Sequence, residues 1–106
     1  MTIYGYARVS TAHQENDLQI DALTRAGAQV IIQEKTSGVR SRKELEVLLA
    51  KLLPGDCVLV YKLDRFARSL LDLLAIIAKI EAARATFRSL TESIDNSMPA
   101  GRMMLQ

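Results

Sequence analysis

The chain has 106 residues, 49% of them hydrophobic, and this length supports one compact domain with a single core. Its formal net charge of +2 permits a nucleic-acid partner without indicating one, and its one cysteine excludes an internal disulfide and a multi-cysteine zinc site. No apolar run reaches the ~18–20 residues of a membrane span and the first residues do not form a signal peptide, so we expect a cytoplasmic protein with no membrane partner.

Strand-like and helix-like segments alternate from the first residues onward. Residues 3–9 are predicted to form the first strand. Residues 15–25 are predicted to form a helix that begins at the capping-box pattern Asn16-x-x-Gln19 and ends at Gly27. The apolar run 30–32 then predicts the start of a second strand.

The middle of the chain continues this alternation. A loop centred on Ser37-Gly38 precedes Ser41-x-x-Glu44, a capping box that predicts the start of the second helix. Pro54-Gly55 predicts its end, and the short apolar run 57–61 predicts a central strand buried on both faces. The apolar side chains at helical spacing in this second helix are Leu45, Leu48, Leu49 and Leu52.

A third helix over residues 69–83 and a fourth strand over residues 86–90 complete the pattern. The side chains that the third helix is predicted to bury are Leu70, Leu73, Leu74, Ile77 and Ile80. Strands linked by right-handed crossover helices predict an α/β fold: a three-layer sandwich with a mostly parallel central sheet of about four strands flanked by helices.

Polar side chains follow three of the predicted strands. They are Arg8 and Ser10 after the first strand, Thr36 and Ser37 after the second, and Lys62, Asp64 and Arg65 after the third. Because the carboxyl ends of parallel strands meet at the edge where open α/β sheets bind their ligands, we expect these groups to lie together. Arg42, at the start of the second helix, is expected to lean over the same edge, where the helix N-terminus favours an anion.

This set of side chains fits attack on a phosphodiester. Ser10 supplies a hydroxyl nucleophile, and guanidinium groups neutralise the phosphate charge with a planar fork that binds two oxygens. The arginines expected to stand in for the metal ions of many phosphoryl-transfer enzymes are Arg8, Arg42, Arg65 and Arg68. On a helix that begins near Asp64, the Asp64 carboxylate and Arg68 would share one face. Asp64 would then either orient the arginines or move the proton of the leaving group.

Ordinary structural interpretations stand beside these functional ones. Ser10 can satisfy the loop that follows a strand. The charged side chains of Asp64, Arg65 and Arg68 can form a solvated ladder of helical ion pairs. Their place at one edge of the sheet, rather than any local pattern, is what favours function.

Four more residues are interpreted in the same way. Gln14 and Gln19 fit a plain helix surface or a cap, which spacing alone favours. Cys57 fits a small buried hydrophobe better than a reactive thiol. His13 is interpreted as an exposed first-turn residue, and the hypothesis of a Ser-His pair with Ser10 is rejected.

The motifs of the whole chain resemble the catalytic domain of the serine recombinases, the resolvase/invertase family. The matching motifs are Tyr6-x-Arg8-x-Ser10-Thr11, Gln14, Asp17-x-Gln19, Glu34-x-x-Ser37-Gly38, Arg42, Gly55-Asp56, Lys62-Leu63-Asp64-Arg65, Arg68 and Gly101-Arg102. The resemblance implies site-specific DNA recombination without a metal or a nucleotide cofactor. It implies that Ser10 attacks a DNA phosphate to give a 5′-phosphoserine link and a free 3′-hydroxyl.

The same resemblance implies a role for each matching residue. Ser10 is the nucleophile, and Asp64 assists proton movement. The arginines implied to hold the scissile phosphate are Arg8, Arg65 and Arg68. Arg42 completes the catalytic set, and the supporting, phosphate-binding residues are Gln14, Gln19, Ser37 and Lys62.

The resemblance also implies an assembly. Members of the family cut DNA as homodimers that join into a synaptic homotetramer, exchange half-sites and rejoin the strands. Residues 101–105 match the start of the family's long dimerising helix, and its helix-turn-helix DNA-binding domain is missing. Residues 1–106 are therefore expected to be a catalytic-domain fragment, monomeric or weakly dimeric, inactive in recombination alone and mobile over residues 95–106.

One position departs from the family pattern. The turn Ala83-Arg84-Ala85 has no glycine before the fourth strand, where the family usually has one. We therefore expect the third helix to end with a different geometry from the usual left-handed turn.

A second class of function stays open at this level. The same arginine-rich edge would suit a non-catalytic α/β module that binds DNA backbone or another phosphorylated ligand. Ser10 separates the two, because a binding module needs no nucleophile. A phosphoryl-transfer enzyme for small molecules is less favoured, since the chain lacks a glycine-rich phosphate loop. The DNA target and the choice among resolvase, invertase, transposase and integrase roles are not decided by these residues.

Overall fold

The computed structural model describes residues 1–9, 13–35, 42–63 and 66–91, and within these ranges strands and helices alternate strictly. The elements are β1 (Ile3–Val9), α1 (His13–Arg25), β2 (Val30–Lys35), α2 (Lys43–Lys51), β3 (Cys57–Val60), α3 (Leu70–Ala82) and β4 (Thr86–Ser89). Every predicted strand and helix is therefore present. No helix in these ranges combines the length and the apolarity that crossing a bilayer requires.

The four strands form one parallel sheet in the order β2-β1-β3-β4. β1 is central and pairs with β2 on one side, where Tyr4 lies opposite Val30, and with β3 on the other, where Ile3 lies opposite Cys57. The strand order reverses between β1 and β3, so the carboxyl ends of these two strands flank the topological switch point of the sheet.

Helices cover both faces of the sheet, which confirms the predicted three-layer α/β sandwich. On one face, α2 and α3 pack on the sheet through a large core centred on Phe66 and Phe87, whose rings stack at 5.1 Å between centroids. The other face carries a smaller core in which Leu23 of α1 packs with Ala7 and Leu59. The alternation of side chains along β1 separates the two cores.

Gly5 lets α1 approach β1 closely. A Cβ atom at this position would lie 3.1 Å from the Ala28 Cβ and 3.2 Å from the Leu23 Cβ. Those separations are shorter than most carbon contacts, so a side chain here would require the end of α1 and Ala28 to shift by a few tenths of an ångström. The missing side chain thus permits the close packing of α1 on β1.

The predicted start of α1 is wrong by two residues. The helix begins at His13, which places Asn16 and Gln19 in its interior rather than in a capping box. Gln19 is instead fully buried, and its side-chain amide donates to the carbonyl oxygen of Arg8 at 2.9 Å. A tertiary contact, which local pattern does not encode, decides the role of this glutamine.

The capping box predicted for α2 is also wrong. Arg42 occupies the N-cap position without a side-chain cap, and the exposed N–H groups of the first turn find an acceptor on β2. The Glu34 carboxylate accepts from the N–H groups of Glu44 and Leu45, both at 3.1 Å. Ser41, the predicted cap, lies outside the described residues.

The third helix is shorter than predicted, because it begins one residue later and ends one residue earlier. α3 starts at Leu70 with Ser69 as its N-cap, so Arg68 precedes this helix. Upstream, the Ala67 N–H donates to the Leu63 carbonyl at 2.9 Å. Asp64 and Arg65 lie outside the described residues, so the helix start and the ion-pair ladder expected there stay predictions.

Two of the side chains that α3 was predicted to bury are exposed. Leu73, Ile77 and Ile80 are buried as predicted, whereas Leu70 is 62% exposed and Leu74 37% exposed. Ile76 takes the remaining core position. The inward face of α3 is thus centred on Leu73, Ile76, Ile77 and Ile80, one side of the predicted face.

The turns that lead from helix to strand at the amino edge of the sheet share a left-handed residue. They place Gly27 at φ 102°, Gly55 at φ 91° and Arg84 at φ 61°. After α3, the N–H of Ala85 donates to the carbonyl of Ile80 and that of Arg84 to Glu81, the paired bonds of a Schellman motif. The expectation of a different exit geometry is therefore wrong: Arg84 adopts the conformation that a glycine usually takes.

Candidate functional site

The predicted site residues divide into those that the structure describes and those that it does not. Described are Arg8, Gln14, Gln19, Arg42, Lys62 and Arg68. Outside the described residues are Ser10, Thr36, Ser37, Asp64 and Arg65.

Arg8 lies near the carboxyl end of β1 and has a buried side-chain nitrogen, Nε, without a hydrogen-bond partner among the described residues. A buried donor without a partner is costly, and a guanidinium held ready for an anion is a functional reason to retain one. The main chain of the same residue is fixed, because its carbonyl accepts from Gln19. Gln19 therefore supports the end of β1 from α1.

A buried tyrosine and glutamate connect β1 to β2 and α2. The Tyr6 hydroxyl donates to Glu34 Oε1 at 3.0 Å, and both side chains are buried. Burial raises the pKa of the Tyr6 hydroxyl, and the neighbouring Glu34 carboxylate raises it further, so the phenol stays protonated. The positive charges of Arg8 and Arg42 lower the pKa of this hydroxyl, but by less than burial and Glu34 raise it.

The strongest ion pair at this edge joins α2 to α3. Arg42 donates through Nη1 to Asp72 Oδ2 at 2.8 Å and through Nη2 to Asp72 Oδ1 at 2.9 Å, and each side chain is 20% exposed. This bidentate bond raises the pKa of the Arg42 guanidinium and lowers the pKa of the Asp72 carboxyl. Arg42 therefore reaches the predicted edge, held there by a carboxylate.

Asp72 also organises the chain that follows β3. Its Oδ2 accepts from the main-chain N–H of Arg68 at 2.9 Å, and its own N–H donates to the Ser69 hydroxyl at 3.1 Å. One carboxylate thus contacts two of the arginines that the sequence assigned to phosphate binding. Arg42 and Arg68 are therefore joined through Asp72, and Arg8 lies near the end of β1 at the same edge of the sheet.

The remaining described residues lie at the margin of this region. Lys62 is half-buried just after β3, with its Nζ 5.6 Å from the ring centroid of Tyr61. Gln14 is exposed on the first turn of α1. Neither has a contact that assigns it a role.

Glu34 and Asp72 are the organising residues that sequence reasoning missed. Glu34 was noted only as part of a motif, and its position next to a predicted loop gave no sign that it caps a helix. Asp72 had a readable signal, since Ser69-x-x-Asp72 has the spacing of a capping box. Its bond to Arg42 joins residues far apart in sequence and has no local signal.

Comparison with known proteins agrees with this geometry. The family model described as Resolvase, N terminal domain matches residues 3–106. The serine recombinase gin of Escherichia phage Mu is 45% identical over 101 residues, which cover 94% of this chain and 52% of that protein. The probable DNA-invertase y4cG of Sinorhizobium fredii is 48% identical over 105 residues, which cover 98% of this chain and 34% of that protein.

A solved structure extends the likeness to the backbone. The N-terminal catalytic domain of TP901-1 integrase superposes with a TM-score of 0.82 at 35% identity, over 99% of this chain and 88% of that chain. The chain spans about half the length, or less, of the curated relatives it matches. On the extent of these matches, the chain belongs to the resolvase family of serine recombinases, whose N-terminal domain it matches almost from end to end.

Proposed function

We propose that this domain cuts and rejoins DNA in site-specific recombination, with Ser10 as the nucleophile. The observation that carries the proposal is the buried Arg8 Nε near the end of β1, which no described residue satisfies, together with the Asp72 carboxylate that binds both Arg42 and Arg68. In open α/β sheets, ligands bind at the switch point that the ends of β1 and β3 flank. Membership of a family of recombinases supports DNA as the substrate.

The proposed reaction is a phosphoryl transfer to serine. The Ser10 Oγ gives its proton to solvent water and forms a bond to phosphorus, the bond from phosphorus to the 3′ oxygen breaks, and that oxygen takes up a proton from solvent with the help of Asp64. Rejoining reverses these steps with a 3′-hydroxyl from another strand. One ester bond replaces another, so the reaction needs no nucleotide to supply energy.

Arginines supply the charge that this reaction needs. Arg8, Arg65 and Arg68 hold the non-bridging oxygens of the phosphate as it becomes five-coordinate, a task suited to the planar guanidinium fork. Arg42 completes this set. Gln19 keeps the end of β1 in place through the Arg8 carbonyl. Gln14, Ser37 and Lys62 are proposed as supporting contacts to the phosphate backbone.

The proposed setting follows from the family. The protein acts on DNA as a homodimer that pairs into a synaptic homotetramer, in the bacterial cytoplasm with the nucleoid DNA. Relatives with this domain are named as invertases and as a resolvase, so the domain alone does not decide among resolvase, invertase, transposase and integrase roles.

Replacement of the nucleophile tests the proposal. In the full-length gene product, Ser10→Ala is expected to abolish the covalent protein–DNA adduct on denaturing gels with labelled DNA, while site binding stays nearly intact, because one hydroxyl adds little to an affinity dominated by phosphate contacts. EDTA is expected to leave the parent rate unchanged. An adduct formed by the alanine variant contradicts the mechanism, and binding without any adduct in the parent favours a non-catalytic module.

A further inference from the structure

Asp72 links Arg42 to the chain around Arg68, and neither the sequence motifs nor the family comparison assigns it a role. Its two carboxylate oxygens accept three hydrogen bonds, two from the Arg42 guanidinium and one from the main chain of Arg68. The Oδ2 atom is shared, at 2.8 Å from Arg42 Nη1 and 2.9 Å from the Arg68 nitrogen. A single oxygen therefore sets the position of one arginine side chain relative to the backbone of another.

The form of the ion pair leaves Arg42 able to bind a ligand. A guanidinium has five N–H donors, and the fork to Asp72 uses two of them. The bidentate bond fixes the plane of the group, so its other donors point in a defined direction. A solvent-exposed ion pair holds its side chains weakly, but the Arg42 and Asp72 side chains are each only 20% exposed.

Asp72 is itself rigidly placed. It lies in the first turn of α3, where its N–H donates to the Ser69 N-cap and its negative charge is favoured by the helix N-terminus. The next residue, Leu73, is buried in the core. The carboxylate is therefore anchored to the core of the domain rather than carried by a loop.

We propose that Asp72 is a positioning residue for catalysis, which holds the Arg42 guanidinium and the Arg68 backbone in the relative placement that the scissile phosphate requires. The inference rests on the proposed function and assigns Asp72 no contact with substrate. Displacing a positioned group by about 1 Å can cost on the order of 10²-fold in rate. The Asp72 carboxylate therefore contributes to the cleavage rate as well as to folding.

The test compares Asp72→Asn with Asp56→Asn in single-turnover cleavage of labelled duplex DNA by the full-length gene product, under conditions where circular dichroism shows both folded. Asp56 is a matched control, because its carboxylate is buried and accepts two main-chain N–H groups at the opposite edge of the sheet. An asparagine at position 72 has one acceptor oxygen and loses the fork. We expect cleavage to fall about 10- to 100-fold in Asp72→Asn and less than threefold in Asp56→Asn.

A double-mutant cycle separates positioning from a general loss of stability. If Asp72 acts through its two arginines, Asp72→Asn costs less in an Arg42→Ala background than in the parent. Asp72→Glu keeps the charge but moves the oxygens by one methylene, and covers the case in which the asparagine variant does not fold. We expect it to lose at least about threefold in rate.

Three results overturn the inference: folded Asp72→Asn that cleaves within threefold of the parent, folded Asp72→Glu at the parent rate, or equal losses at positions 72 and 56. Failure of the proposed function is distinct, because the parent itself then forms no Ser10-dependent adduct. That outcome overturns both proposals together.

Discussion

The two edges of the sheet satisfy their polar groups in different ways. At the amino edge, side chains bind main chain: Asp56 accepts from the N–H groups of Thr2 and Leu53, and the Gln29 side chain accepts from Ile3. At the carboxyl edge, side chains also bind main chain, as Glu34 does at the start of α2, but there side chains from different elements bind each other as well, as in Tyr6 with Glu34 and Arg42 with Asp72. Bonds of this second kind fix one element relative to another.

Arg8 marks the same contrast most clearly. It is the residue with a buried side-chain donor that no described residue satisfies, and it lies at the carboxyl edge. A fold has no stability reason to leave a guanidinium N–H in that state. The carboxyl edge therefore keeps a hydrogen-bond donor that no described residue uses.

The largest effect is expected at Arg68, and an exposed arginine on β4 serves as its comparison. Arg68→Lys keeps the charge but loses the planar fork, and is expected to lower single-turnover cleavage by about 10²–10³-fold, as when one preorganised donor is removed. Arg88→Lys on the exposed face of β4 is the control and is expected to cleave at the parent rate. Equal rates for the two variants would show that Arg68 is only a surface charge.

Lowering the pH tests whether Asp56 at the amino edge and Asp72 at the carboxyl edge both contribute to the free energy of unfolding. Hydrogen bonds from Leu53 and Thr2 lower the pKa of Asp56, and the bond from Arg42 lowers the pKa of Asp72. Both contributions are therefore complete above the unfolded-state pKa of about 3.9 and are lost as pH falls through the lower folded-state values. Urea titrations between pH 7 and pH 2.5 should show a smaller acid-induced loss of unfolding free energy in Asp56→Asn and Asp72→Asn than in the parent. An unchanged pH dependence in either variant would contradict the assignment for that edge.

The smallest expected effect lies in the turns of the amino edge, where Arg84 alone of the three left-handed residues has a side chain. Arg84→Gly removes the steric cost of that conformation and is expected to raise the unfolding free energy by roughly 0.5–1 kcal/mol. Gly27→Ala introduces the same cost and serves as the reverse control. Thermal unfolding that shifts in the same direction for both variants would contradict this account.

Sequence patterns predicted the order of elements and the layers because these depend on local periodicity. Runs such as 57–60 are apolar whatever they pair with, and the leucines of α2 define a face by spacing alone. The edge that holds the site followed from parallel topology, since strands that alternate with helices place their carboxyl ends together.

The errors arose where a distant residue competes with a local one. Glu34 replaced the predicted cap of α2, and Gln19 left a predicted cap to bind Arg8. Asp72 escaped notice because its partner Arg42 lies 30 residues away. The left-handed conformation of Arg84 was also not expected from the sequence, which has no glycine there. The two hydrogen bonds of the turn outweigh the modest cost of this conformation for an arginine.

The strand order also bears on how the chain acquires its structure. β1 is the first strand in sequence, yet it lies between β2 and β3, so its second partner does not exist until residue 60 has been added. Every strand pair here joins distant segments, a topology that folds more slowly than one built from hairpins and helices. During synthesis the most central strand of the sheet therefore waits with an open edge, and that interval is when the chain is most exposed to pairing with another copy.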